Sequence, residues 1–240
     1  MDRREQMNII ECKNLTKRYG DFYALTDVNL SVPSGGGIVG LLGPNGSGKT
    51  TLIKLLTGLL QPSNGEVKIA GCPIGVETKA IVSYLSDFYS LNQSYTVHEE
   101  LQYFTDFFPD FDREKAEKML SDLAIDRTQT VKTLSKGTKE KLALLLTLSR
   151  KATLYILDEP IAGVDPAARE YVLETILKNR TPNSTILLST HLISEIEQYF
   201  DYVIFLRCGS VVLEGNAEEI RTKYDTTINE LFKEAFKWTM

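Results

Sequence analysis

The chain has 240 residues, 42% of them hydrophobic and 25% charged, with a net charge of −5. That length supports a large core and fits one globular α/β domain, residues 1–240. An isoelectric point near 5.3 and the lack of any block of consecutive basic residues argue against a nucleic-acid partner.

The first residues, Met1 to Gln6, lack the apolar core of a signal peptide. The longest near-apolar run, Leu142 to Leu148, falls far short of the ~18 residues that span a bilayer. A cytosolic protein is therefore expected. Cys12, Cys72 and Cys208 are odd in number and far apart, match no zinc or redox spacing, and read as reduced thiols.

Residues 8–86 alternate apolar and polar runs with turn signals, which predicts a β subdomain joined to a phosphate-loop core. Gly35, Gly37 and Gly40 satisfy G-x-G-x-x-G, but Pro33 and Ser34 precede the pattern and the apolar strand follows it. A dinucleotide site needs the reverse order, so this pattern reads as a turn entering a strand. That strand, Ile38 to Leu42, runs into Gly43-Pro44-Asn45-Gly46-Ser47-Gly48-Lys49-Thr50. The segment fits G-x-x-x-x-G-K-[ST], and Thr51 follows it. Its glycines let backbone N–H groups approach a polyphosphate at a helix start, where the dipole favours negative charge. Lys49 is placed to reach the β- and γ-phosphates, and the Thr50 hydroxyl to hold Mg²⁺. Leu52, Ile53, Leu55 and Leu56 predict the helix, and Gly58 its stop. Glu66 to Ala70 reads as a strand between turns.

Composition changes after residue 86. Aromatic and acidic residues at helical spacing, such as Leu101, Phe104 and Phe108, predict a helical insert over 87–134. Residues 135–215 return to helix–strand alternation, with short apolar runs at Leu154–Leu157, Thr185–Leu188 and Val203–Leu206 suited to a buried parallel sheet. Ile228, Leu231, Phe232 and Phe236 give the tail, 216–240, a helical stripe that reads as core packing.

The strand Leu154–Leu157 ends in Asp158-Glu159. Adjacent strand residues point in opposite directions, so the pair can do two jobs. Asp158 can orient a Mg²⁺ shell, and Glu159 can polarise water for in-line attack on a γ-phosphate. His191 follows another strand, at the end where ligands bind in open parallel sheets, and could meet the γ-phosphate.

Together with these, Leu134-Ser135-Lys136-Gly137-Thr138 lies about 20 residues before the paired acids. It resembles the LSGGQ signature of ATP-binding cassette (ABC) transporters, with Lys136 and Thr138 replacing Gly and Gln. The motif order makes the chain similar to the nucleotide-binding subunit of that family over essentially its full length. The resemblance implies a P-loop core with a mostly parallel sheet, an N-terminal antiparallel β subdomain and an inserted α-helical subdomain. It implies ATP and Mg²⁺ as cofactors, and a dimer in which Ser135, Lys136, Gly137 and Thr138 cap the nucleotide of the opposite subunit. Ser135 suits the helix N-cap.

Gly163-Val164-Asp165 resembles the loop that crosses that dimer interface. Tyr19 matches the aromatic that stacks on adenine, although by itself it is a strand-edge tyrosine. Asp87 takes the place of the glutamine that senses Mg²⁺ and the attacking water. The resemblance further implies a homodimer or a pair with a related cassette, and a separate transmembrane subunit that holds the chain at the cytoplasmic face of the membrane. The signature and Phe108-Pro109-Asp110-Phe111-Asp112 look most like exporter cassettes of the antibiotic and ABC-2 type.

Two other functions compete. A non-transport ABC ATPase, such as one serving iron–sulfur assembly, shares the motifs. A P-loop kinase or GTPase does not explain Leu134–Thr138, and the sequence contains no Asn-Lys-x-Asp guanine reader.

Overall fold

The structure is a computed structural model that describes residues 7–35, 37–86, 91–161, 164 and 166–237. Asp87, Gly163 and Asp165 lie outside the described residues. The chain opens with two long strands, β1 (Asn8–Tyr19) and β2 (Phe22–Pro33), paired antiparallel. Register shifts interrupt the pairing, and Asn14 and Asp27 take left-handed backbone conformations beside them. β3 (Gly37–Leu42) leads into α1 (Lys49–Leu56), which ends at Thr57 and Gly58, the latter at φ 71°. β4 (Asn64–Ile69) and the two-residue β5 (Cys72–Pro73) complete an antiparallel sheet of order β2-β1-β4-β5.

After α2 (Val76–Ile81) and β6 (Val82–Leu85) come α3 (Val97–Phe107), α4 (Arg113–Asp122) and α5 (Lys136–Leu148). Thr96 and Asp112 cap α3 and α4 by accepting from the backbone N–H groups of Glu99 and Lys115, the third residue of each helix. The chain then alternates through β7 (Leu154–Asp158), α6 (Pro166–Asn179), β8 (Thr185–Thr190), α7 (Ile193–Ile196), β9 (Tyr202–Arg207) and β10 (Ser210–Asn216). It finishes in α8 (Ala217–Tyr224) and α9 (Ile228–Phe236).

The second sheet has the order β10-β9-β3-β8-β7-β6 and is parallel except for the edge strand β10. Its strands are apolar on both faces because both are covered. Alternate residues sort cleanly between two cores. Ile38, Leu42, Tyr155, Leu157, Ile186, Leu188 and Phe205 join the helices on one side. Val39, Leu41, Ile156, Leu187, Ile204 and Leu206 join α1 and the antiparallel sheet on the other. The fold is that of a P-loop nucleotide triphosphatase.

Arg150 fastens the segment before α4 to the edge of the parallel sheet. Only 5% exposed, its guanidinium donates to the carbonyls of Val82 at 2.8 Å and Ala80 at 2.9 Å. It meets Asp110 at 3.0 Å and lies 4.2 Å from the centre of the Phe108 ring. Backbone bonds from Asp112 to Ser149 and from Lys151 to Asp110 run alongside.

Among the described residues, no helix is long and apolar enough to cross a membrane.

Candidate functional site

The carboxyl end of β3 delivers the loop Gly43–Gly48 to the start of α1. Steric crowding enforces its glycines. A Cβ on Gly43 would lie 2.4 Å from the Leu206 carbonyl oxygen, and one on Gly48, at φ 109°, would lie 2.7 Å from that of Ala24. Ser47 ties the loop down: its N–H donates to the Pro44 carbonyl, and its own carbonyl accepts from Gly209. Lys49 is buried, and its ammonium donates to the carbonyls of Gly43 at 2.7 Å and Pro44 at 3.3 Å. Burial lowers its pKa, while the Glu159 and Asp158 carboxylates pull the other way. Thr50 is exposed and Thr51 half-buried on the first turn, where backbone N–H groups lack helical acceptors.

The two acids stand at the tip of β7. Asp158 is 2% exposed and its Oδ1 accepts from Ser189 Oγ at 2.6 Å. Its Oδ2 is buried without a hydrogen-bond partner. Such an orphaned acceptor is costly unless a cation or donor completes it. Glu159 turns away at φ 51°, a conformation rare outside glycine and asparagine. Its N–H is held by both the hydroxyl and the carbonyl of Ser189, at 3.0 and 3.2 Å. Its Oε2 lies 2.9 Å from Nδ1 of His191.

Ser189 thus fixes both acids, a role sequence reasoning missed. The clue was the register, which sets Asp158 beside Ser189 on the neighbouring strand, and register cannot be read from one sequence.

Part of the loop and both acids line one cleft of about 330 Å³, while Gly43, Pro44, Ser47, Ser189 and His191 lie outside its lining. Asn45, Gly46, Gly48, Lys49, Thr50 and Thr51 form its floor, with Asp158 and Glu159 at one end. Tyr19, Phe22 and Ala24 of the β1–β2 hairpin form the other end. The Lys17 ammonium lies 5.2 Å from the centre of the Tyr19 ring. Phe22, 64% exposed, is a second aromatic at this end that sequence reasoning did not single out. No group of three or more His, Cys, Asp or Glu among the described residues forms a metal cage. One carboxylate and one hydroxyl, Asp158 and Thr50, nevertheless fit Mg²⁺, which takes few protein ligands and completes its shell with phosphate and water.

Ser135, Lys136, Gly137 and Thr138 lie elsewhere. Ser135 caps α5: its Oγ accepts from the Thr138 N–H at 3.1 Å and lies 2.8 Å from the Thr138 hydroxyl. Lys136 lies 3.9 Å from Glu140 one turn on. A Cβ on Gly137 would meet nothing within 4 Å. The four residues border a second cavity of about 240 Å³, backed by Leu144, Pro160, Val164 and Val172, that shares no lining residue with the first.

A mostly parallel sheet with a G-x-x-x-x-G-K-T loop after its central strand and an acid at the tip of β7 defines a P-loop nucleoside triphosphatase. Residues 25–162 match the family model described as ABC transporter. The chain therefore belongs to the ABC transporter ATP-binding family, whose members bind ATP and hydrolyse it to power transport.

It is 31% identical over 220 residues to the Nod factor export ATP-binding protein I of Cupriavidus metallidurans, covering 88% of this chain and 72% of that protein. It is also 31% identical over 226 residues to the probable multidrug ABC transporter ATP-binding protein YbhF of Escherichia coli K12, spanning 90% of this chain but 38% of that one. A solved ATP-binding subunit of an ABC transporter matches with a TM-score of 0.83 at 30% identity, covering 94% of this chain and 98% of that chain.

Proposed function

We propose that this chain is the ATP-hydrolysing subunit of a membrane exporter and works as a pair of cassettes that sandwich two ATP molecules. The separation of the two cavities carries this reading. The cleft gathers the phosphate loop, both acids and the hairpin aromatics, whereas Ser135–Thr138 border a different cavity. A chain that displays both halves of a site apart from each other needs a second copy, or a related cassette, to join them.

In this reading the adenine stacks on Tyr19 and Phe22, and the loop amides with Lys49 hold the β- and γ-phosphates. Lys49 exchanges its bonds to Gly43 and Pro44 for phosphate oxygens. Thr50 and Asp158 would hold Mg²⁺, which would supply positive charge to the phosphates. Glu159 takes a proton from the attacking water, whose oxygen bonds to the γ-phosphorus as the bond to ADP breaks. His191 holds the Glu159 carboxylate in place. Ser135, Lys136, Gly137 and Thr138 of the opposite cassette cap the γ-phosphate, with the α5 N-terminus facing the anion.

The exporter assignment rests on similarity to proteins named for Nod factor export and multidrug transport. The path across the bilayer then belongs to a separate transmembrane subunit, with this chain on the cytoplasmic face.

The trans arrangement is tested by mixing two inactive variants. Ser135→Arg should keep ATP binding in the monomer while losing hydrolysis. Lys49→Ala should lose binding by calorimetry. In a mixed dimer, one of the composite sites retains both an intact Lys49 and an intact Ser135, so phosphate release should partly return. Full activity of Ser135→Arg alone, independent of protein concentration, would overturn the reading.

A further inference from the structure

The Glu159–His191 contact joins two loops that leave the sheet from different strands, β7 and β8. Ser189 already holds the Glu159 backbone, but the His191 ring meets the Glu159 carboxylate through one hydrogen bond, which does not by itself fix where the ring sits. A second link lies behind it. Arg169, on the first turn of α6, reaches back with Nε to the Val164 carbonyl at 3.0 Å, in the segment that follows Glu159. Its Nη1 lies 2.5 Å from Glu195 Oε1 on α7, the helix that follows His191. The Arg169 side chain is 18% exposed and that of Glu195 36%. Partial burial makes this ion pair less screened than a surface pair, and the planar guanidinium fixes two directions at once.

We propose that Arg169 is a positioning residue for the hydrolytic step. With Glu195 it closes a ring made of three contacts, Glu159–His191, Arg169–Val164 and Arg169–Glu195, joined by the covalent chain between them. The ring sets the separation of the two loops, and so seats the His191 ring against the Glu159 carboxylate. Arg169 lines neither cavity and has no part in holding the nucleotide. Its loss therefore affects turnover and leaves affinity alone. The proposal rests on Glu159 acting as the base.

The chain has two histidines, His98 and His191, which makes the ring directly observable. In protein labelled with ¹⁵N-histidine, the Nδ1 resonance of His191 reports its contact with Glu159. A Glu159→Ala variant supplies the reference for the broken contact. His98, on α3, serves as an internal control for the fold.

Arg169→Ala and the isosteric Glu195→Gln should each lower kcat about tenfold or more, since small misplacements of reacting groups are expensive. ATP affinity should stay within about twofold of wild type, the pattern of a group that matters only after binding. The His191 resonance should move towards its position in Glu159→Ala while the His98 resonance stays put. Arg169→Lys, which keeps the charge and loses the fork, should fall between.

Unchanged kcat in both variants would overturn the proposal. So would lowered kcat with a wild-type His191 resonance, or a shift of both histidines, which marks general loosening. A wild-type protein that hydrolyses no ATP would instead overturn the proposed function, so the two failures are distinguishable.

Discussion

The phosphate loop and the Ser135–Thr138 segment both carry glycine at a helix start, but different things require it. In the loop, the chain itself crowds Gly43 and Gly48. At Gly137 the chain leaves open space, and the residue sits in ordinary helix. A glycine with no internal requirement fits the proposed close approach of a second cassette to the start of α5. The crowding at Gly43 and Gly48 is internal to the chain, whereas the second motif is left open for the neighbouring cassette of the proposed pair.

The sharpest way to break this contrast is to disable the chemistry in the cleft alone. Glu159→Gln keeps the side-chain shape and removes the base, so hydrolysis should fall by about 10²–10⁴ while ATP binding persists. If the second motif completes the site in trans, the trapped nucleotide should also accumulate a dimer on size-exclusion chromatography. A monomer at full ATP occupancy and high protein concentration would break the link between the regions.

Gly48→Ala tests the internal requirement. The added Cβ at positive φ, pressed on the Ala24 carbonyl, should cost on the order of 2 kcal/mol in urea unfolding. Ser189→Ala frees Asp158 Oδ1 and removes one of the two acceptors from the Glu159 N–H. Turnover should fall about tenfold, equivalent to ~1.4 kcal/mol, with little change in ATP affinity.

Gly137→Ala should have the smallest effect on the isolated chain. Stability should stay the same or rise by up to about 1 kcal/mol, because alanine is the better helix former. Any loss should appear only in ATP-driven dimerisation. A destabilised monomer would mean that Gly137 has an internal role after all.

The sequence made the strand–loop–helix at 38–56 legible because each part leaves its own mark: an apolar run, fixed glycine spacing, then helical periodicity. Asp158 and Glu159 were legible for the same reason, at the end of an apolar strand. The long strands β1 and β2 were harder to see. Bulges near Asn14, Asp27 and Leu15 break the two-residue alternation that announces a strand. Ser189, Phe22 and Arg169 act through partners distant in sequence, and their spacing carries no local signal. Ser189 owes its role to strand register, Phe22 to the hairpin that lines the cleft beside the loop, and Arg169 to an ion pair with Glu195 on α7, 26 residues on.

Arg150 has a mechanical consequence. It bonds two carbonyls at the edge of the parallel sheet, Asp110 and the face of Phe108, and backbone bonds flank it on both sides. The end of the α3–α4 unit nearest the sheet is thereby riveted to the core. A load on α3, where Tyr103 and Phe107 stack in the open at 5.7 Å, would have to break these bonds together to shift this end of the unit along the sheet.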